Sequence, residues 1–289
     1  MNENGTMSAP VSAGLVLPIV YVEGRNLPEA WETAVLETWE RGAEIATQYD
    51  APGDPSSRDA LAVIAVGDPF AEPRIHRGLP GGIEELEAYR QEVVDGIHDH
   101  WVDPAAGKWE YTYHDRLVNY ATPGGHVVDQ LAQVVDALAE ATHTRRAQAI
   151  IWKPWEDAGI TDPPCLQRMW FRVFDDRLVL NVHMRSNDGF KAAFMNMYAF
   201  TDVQRVIAER LSERIGRVIM PGQYTHIADS FHIYGSYFGE FRAFLDLVNN
   251  RTFERRTFRT DDVADMIQSA REAVLRSIEA ERREGRKGL

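Results

Sequence analysis

The chain has 289 residues, 44% of them hydrophobic and 26% charged, the composition of an ordinary globular protein large enough to enclose a cleft. Its net charge of −13 argues against a nucleic-acid partner, which normally meets a basic face, so any anionic ligand needs a local concentration of arginines. One cysteine excludes an intramolecular disulfide and fits a reducing cytoplasm; MNENGTMSAP has no signal-peptide pattern, and no apolar run is long enough to imply a membrane partner.

Residues 1–12 read as a loose tail ahead of one α+β domain spanning 13–289. Gly14 to Val22 reads as a β-branched strand, and Pro28 to Thr47 as a helix with proline in its first turn. Asp50 to Arg58 is loop by its Pro, Gly, Asp and Ser content, and Leu61 to Val66 is a second buried strand. Helices are expected over Ile83 to Ile97 and Gly125 to Ala141, with an aromatic-rich segment from Trp101 to Tyr120 between them. Ala149 to Trp152, Met169 to Phe174 and Leu178 to Met184 read as strands, the last two joined by the turn Asp175-Asp176-Arg177. A long helix over Lys191 to Arg214, a strand over Val218 to Tyr224, and helices over Gly239 to Val248 and Val263 to Arg283 complete the chain. This gives a mixed sheet covered by helices, whose β-rich middle can also supply a dimer face.

The chemistry centres on Pro163-Pro164-Cys165, where two prolines fix the approach to the only thiol. A lone cysteine is most often a small buried hydrophobe; a catalytic one needs nearby positive charge. Arg185, just after a strand, and Arg145-Arg146, just before another, can bind a phosphate dianion and favour the thiolate. Taken singly, each arginine reads as a solvated surface charge.

Their order is informative. Arg145-Arg146, Trp152, Pro164-Cys165, Arg185-Ser186-Asn187-Asp188, Asn196 and His232-Ile233-Tyr234 occur in the sequence and spacing of dispersed motifs that resemble the thymidylate synthase and deoxycytidylate hydroxymethylase superfamily, from about Ile83 to Phe238. The resemblance implies a thymidylate synthase-like fold, a homodimer built on a sheet face with shared active sites, a pyrimidine nucleoside monophosphate substrate, 5,10-methylenetetrahydrofolate as co-substrate and no metal. It places Cys165 on the nucleophile, Arg185 and Ser186 on phosphate ligands, and Arg145 and Arg146 on phosphate arginines supplied by the neighbouring subunit. Asp188 falls on the residue holding the folate pterin, His232 and Tyr234 on the sugar-hydroxyl pair, and Asn196 on the base-reading position. Glu85 falls on the glutamate that organises water near the base, and Tyr113 on a tyrosine near C5. Arg25 is matched to a further phosphate arginine on position alone. Read without the resemblance, His232 and Tyr234 are a packing pair, Glu85 an acid on a solvated helix face, Asn196 a backbone cap and Tyr113 a core residue.

Two outcomes differ in the last step: hydride from the folate makes a methyl group, and water makes a hydroxymethyl group. The charged ending Arg282-Arg283-Glu284-Gly285-Arg286-Lys287-Gly288-Leu289 is unlike the apolar tail with which synthases exclude water. Gly24-Arg25-Asn26 stands where synthases have an Arg-Thr-Gly loop, and Trp152-Lys153-Pro154 is similar to the hydroxymethylase Trp-Arg-Pro. Asn196 points both ways, since an amide can present its oxygen or its nitrogen. The expected reaction is 5-hydroxymethylation of a cytidine nucleotide, as in nucleoside-antibiotic biosynthesis, with Lys153 leaving room for, or donating to, a 2′-hydroxyl so that CMP is preferred over dCMP. Lys153 could equally only support its turn. Methylation of dUMP by a thymidylate synthase is the alternative, and a non-enzymatic nucleotide- or RNA-binding relative is a third.

Overall fold

The computed structural model describes residues 17–284. The expected tail and the last five residues lie outside the described residues, as do residues 14–16 of the first expected strand.

Strand β1 (Ile19–Gly24) leads into helix α1 (Leu27–Arg41), capped by the Asn26 side chain accepting from the Glu29 backbone N–H. The helix stops before Thr47, at Gly42, where a Cβ would meet the Thr38 carbonyl oxygen at 2.4 Å. The chain then turns into β2 (Ala43–Ile45), which pairs with Ser57–Asp59 at the start of β3 (Ser57–Val66) and satisfies backbone groups that a longer helix would leave unpaired. After β4 (Ile75–His76) comes α2 (Gly82–Asp95), ended by Gly96 in the left-handed conformation. The aromatic segment holds α3 (Tyr113–Val118). The helix expected from Gly125 starts later than its apolar pattern suggested. Val127 and Val128 form β6 (Val127–Val128), paired with β5 (Tyr120–Ala121), and α4 (Gln130–Glu140) begins at its Asp129 cap.

The sheet continues through β7 (Gln148–Ile150), the short helix α5 (Pro154–Asp157), β8 (Leu166–Phe174) and β9 (Arg177–Met184). Asp175 and Asp176 take φ of 52° and 56°, which closes the expected β8–β9 hairpin with a two-residue left-handed turn. A two-residue strand β10 (Asn187–Asp188) precedes the buried helix α6 (Ala193–Ile215). The next strand, β11 (Met220–Ile233), runs nine residues past the expected Tyr224 end. Its polar run Thr225 to Ser230 hid it from a hydrophobic pattern, yet the ladder to β3 and β9 continues through two register shifts. α7 (Phe238–Asn250), β12 (Thr257–Phe258) and α8 (Ala264–Glu284) finish the described chain.

The main sheet has the order β1-β3-β11-β9-β8-β7 with parallel and antiparallel neighbours, as the α+β reading required. Helices α1, α4 and α6 pack on one face, α2 packs on α6, and α8 on α2. One cross-strand row, Val22, Ile64, His226, Val182 and Met169, is buried against those helices. The adjacent row, Tyr21, Val63, Ile227, His183 and Arg168, faces the opposite way and is half-buried to exposed. Gln204 of α6 donates to the carbonyls of Leu178 and Gly222, bridging β9 and β11 where their register shifts. No helix among the described residues is long and apolar enough to cross a membrane.

Trp31 ties the N-terminal helix to the loop that follows β10. Its ring is fully buried against His76, Phe194 and Phe244, and its indole N–H donates to the Gly189 carbonyl at 2.8 Å. Trp31→Phe keeps an aromatic ring but strands that carbonyl. A loss of about 1–3 kcal/mol is expected in urea unfolding, the cost of a buried unpaired polar group. A variant as stable as wild type would show that the tie is not needed.

Candidate active site

The ends of β9 and β11 meet the start of β8, and most of the chemical groups converge there. The Arg185 backbone N–H donates to the Cys165 carbonyl at 2.8 Å, closing the β8–β9 ladder over the two prolines. The Arg185 guanidinium donates to the Pro164 carbonyl at 3.1 Å and to that of Pro163. One arginine therefore fixes the thiol's loop with two of its donors and has others left for an anion. A cavity of about 250 Å³ opens beside it, lined by Tyr89, Tyr113, Cys165, Met184, Ser186, Asn187, Asp188, Ala192, Met195, Asn196, His232 and Tyr234. Of the expected residues, this brings together Cys165, Tyr113, Ser186, Asp188, Asn196, His232 and Tyr234.

Each wall has a definite hydrogen-bonding state. Ser230 donates to the Asp59 carboxylate at 2.8 Å and lies 3.2 Å from His232 Nδ1. With the serine proton committed, Nδ1 is the donor in that contact and Nε2 is left as an acceptor. Burial pulls the His232 imidazole down to about 4, so it is neutral. Tyr234, at a ring distance of 4.5 Å from His232, is pushed up to about 12 by burial and by Asp188 nearby, so it is a phenol. An acceptor beside a donor suits a sugar hydroxyl. Behind them, fully buried His226 is pulled down to about 3 by burial. It bonds the Tyr224 hydroxyl and the Asn187 amide oxygen, each at 2.8 Å, and so sets the Asn187 amide. Tyr113 Oη accepts from the Leu166 backbone N–H at 3.2 Å, which places a neutral phenol next to the thiol.

Burial pushes the Cys165 thiol up, Arg185 pulls it down less strongly, and Asp162 adds to the rise. The expected arginine is present, but its pull does not overcome burial in the free protein. Asp188 caps the turn after β10 by accepting from the backbone N–H groups of Phe190 and Lys191, yet burial lifts its carboxyl to about 6.

Several expected residues lie elsewhere. Glu85 is exposed in the first turn of α2 and does not line the cavity; Tyr89, one turn on, does. The hydroxyl of Tyr89 donates to the Asn196 amide oxygen. Arg25 follows β1, level with the β11 position Tyr224, and strand rise puts it roughly 25 Å from the His232 end. Arg145 and Arg146 are exposed ahead of β7, roughly 20 Å along β8 from Cys165 at ~3.3 Å per residue. Within one chain neither pair nor Arg25 reaches the thiol. Lys153 is buried away from the cavity lining: its ammonium pairs with Glu156 at 3.2 Å over the Tyr120 ring, and its backbone N–H donates to Asp157. That placement supports the turn rather than a sugar contact.

Sequence reasoning missed Tyr89, Asn187 and the His226–Tyr224 pair. For Tyr89 the signal was its position one helical turn beyond Glu85. A second cavity of about 420 Å³ adjoins the first across Tyr89 and Tyr113, with Glu92, Trp109, Tyr111 and Asp162 among its walls.

The fold and this site define a class in which a thiol and an amide face one nucleotide-sized cavity. The thymidylate synthase family model matches residues 82–272, and the chain belongs to that family. Relatives described as "Putative thymidylate synthase" come from Methanopyrus kandleri, 32% identical over 75% of this chain and 93% of the relative, and from Methanosarcina acetivorans, 26% identical over 74% and 88%. The solved thermostable thymidylate synthase A from Bacillus subtilis has a similar fold, with a TM-score of 0.57 at 16% identity over 74% of this chain and 82% of that one. β1, α1 and β3, Trp31 among them, precede the family match.

The raised Asp188 carboxyl has a consequence for stability. Between about pH 4 and 6 the unfolded chain gives up this proton while the folded chain retains it, so the contribution of Asp188 to stability declines as pH rises through that window. Asp188→Asn should therefore gain on wild type by on the order of 2 kcal/mol from pH 4.5 to pH 7.5 in urea unfolding. A difference that runs the other way would mean the carboxylate is stabilised in place.

Proposed function

We propose that the chain transfers a one-carbon unit from 5,10-methylenetetrahydrofolate to C5 of a pyrimidine nucleoside monophosphate, and that the product is a 5-hydroxymethyl cytidine nucleotide. The observation that carries the reading is the single cavity in which Cys165 faces Asn196, Asp188, His232 and Tyr234.

Addition of the Cys165 thiolate to C6 makes C5 an enamine-like carbon, dividing one hard step into two easier ones. C5 then attacks the folate methylene. Loss of the C5 proton and of the folate nitrogen leaves an exocyclic methylene on the base. Water adds to that methylene, the thiolate leaves C6, and tetrahydrofolate is released. Ser186 and the free donors of Arg185 suit the phosphate, since guanidinium and hydroxyl donors match its oxygens. Neutral His232 and Tyr234 suit the sugar, and Asn196 the base edge. The second cavity, on the far side of Tyr89 and Tyr113, suits the folate, with Trp109 and Tyr111 as aromatic walls. The thiol is held protonated by burial in the free protein, so its proton must pass to water or to a base before the thiolate attacks.

The hydroxymethyl outcome is supported by the likeness of Trp152-Lys153-Pro154 to the hydroxymethylase Trp-Arg-Pro. The names of the relatives favour the second reading, methylation of dUMP with release of dihydrofolate. Mass analysis of products from CMP, dCMP, UMP and dUMP with the folate decides between them. The expected outcome is a hydroxymethylated cytidine nucleotide with tetrahydrofolate; a methylated uridine nucleotide with dihydrofolate would establish the second reading.

The working unit in this reading is a cytoplasmic homodimer joined on the half-exposed sheet face that carries Tyr21, Ile227 and Arg168, with Arg145 and Arg146 serving the neighbour's phosphate. Mixing an Arg145→Ala/Arg146→Ala chain with a Cys165→Ala chain should restore activity, because each mixed dimer holds one intact site. Absence of rescue, with subunit exchange demonstrated, would rule out shared sites.

A further inference from the structure

We propose that Tyr89 and Asn196 read a cytosine as a pair, the Tyr89 oxygen accepting from the 4-amino group and the Asn196 amide nitrogen donating to N3. The inference rests on the proposed reaction, because that reaction fixes how the ring lies. Cys165 must reach C6, and C5 must face the co-substrate cavity. C4 is next to C5 on the ring, so its substituent lies at the boundary between the two cavities. Tyr89 lines both cavities and stands at that boundary. Asn196 lines only the nucleotide cavity and is bonded to Tyr89, so it is assigned the neighbouring ring atom, N3.

The hydrogen bond between the two side chains sets what each has left. The Tyr89 proton goes to the Asn196 Oδ1. The Tyr89 oxygen lone pairs and the Asn196 Nδ2–H groups remain, an acceptor beside a donor. Cytosine presents the complement, an amino donor at C4 and an acceptor at N3. Uracil presents an acceptor at C4 and a donor at N3, so like groups would meet at both positions. Matching uracil requires the amide to turn over and the phenol proton to leave it. Burial keeps Tyr89 a phenol, so its proton is available to hold the amide. The two helices are also locked together beside the pair. Arg90, next to Tyr89 on α2, bonds Glu87 and approaches Asp202 of α6 at 3.7 Å, and Arg74 bonds the same aspartate at 3.1 Å. A phenol on α2 and an amide on α6 thus face each other across a fixed gap.

The test compares equilibrium binding of CMP, UMP and pyrimidin-2-one ribonucleoside monophosphate, which lacks any 4-substituent. It is run in a Cys165→Ala background so that no thiol adduct enters the affinity, with and without Tyr89→Phe. CMP should bind about tenfold more tightly than either of the other two, one hydrogen bond's worth. Tyr89→Phe should remove the advantage of CMP over the pyrimidinone by weakening CMP more than the pyrimidinone, which a merely structural role for Tyr89 would not do. Equal weakening of all three ligands, an unchanged CMP advantage, or tighter binding of UMP would overturn the pairing. Should Tyr89→Phe fail to fold, the order of the three ligands on the parent chain still decides. Release of tritium from C5-labelled nucleotide by the wild-type chain separates the two levels. Release with a uridine preference leaves the one-carbon reaction standing and removes the Tyr89 assignment; no release and no nucleotide binding removes both.

Discussion

The site depends on the fixing of the thiol's loop by Arg185. Two prolines leave the Cys165 segment without two backbone donors, so it cannot be held by an ordinary ladder on that side. Arg185 holds the segment through its carbonyls instead, its backbone N–H donating to Cys165 and its guanidinium to the two prolines. The end of β9 and the start of β8 are therefore one unit, and Ser186, Asn187 and Asp188 follow directly from it. Tension between the arginine's two tasks is small, because a guanidinium has five donors and the loop takes only some of them.

Around that unit the protein surrounds the cavity with neutral groups. His226 and His232 are kept uncharged by burial, and the phenols Tyr89, Tyr113 and Tyr234 are kept protonated. Neutral donors and acceptors in fixed orientations recognise shape and hydrogen-bond pattern without paying for the desolvation of several charges. Arg185 is the positive counterweight for the thiol. With an overall charge of −13, the chain holds one arginine in place beside its only thiol.

Much of the architecture is legible in the sequence where hydrophobic period and turn chemistry agree. The β8–β9 hairpin follows from two apolar runs around Asp175-Asp176, and α6 from its long helical pattern. The outer half of β11 was not legible, because Thr225, His226, Asp229 and Ser230 break the apolar alternation while their polar groups find partners in the fold. The site shows the same division. Cys165, Ser186, Asp188, Asn196 and His232 were found because dispersed motifs mark strand ends and one helix start. Glu85 drew attention as a carboxylate, but helix geometry brings the residue one turn further on to the cavity. Lys153 read as a ligand because it stands where the hydroxymethylase motif has arginine, and only the fold shows its ammonium paired with Glu156. Arg25 is separated from the thiol by the length of a strand, a distance that sequence spacing does not encode.

Covalent attack by Cys165 is the step on which the whole functional account turns, and a 5-fluoro nucleotide tests it. Fluorine at C5 cannot leave as a cation, so the reaction should stop after the folate methylene has joined C5 and before the thiolate departs. Incubation with 5-fluoro-CMP and 5,10-methylenetetrahydrofolate, followed by denaturing mass spectrometry of the intact chain and its peptides, should show the chain heavier by the sum of both ligands, with the added mass on the peptide containing Cys165. An unmodified Cys165 peptide, under conditions where both ligands are shown to bind, would contradict the account.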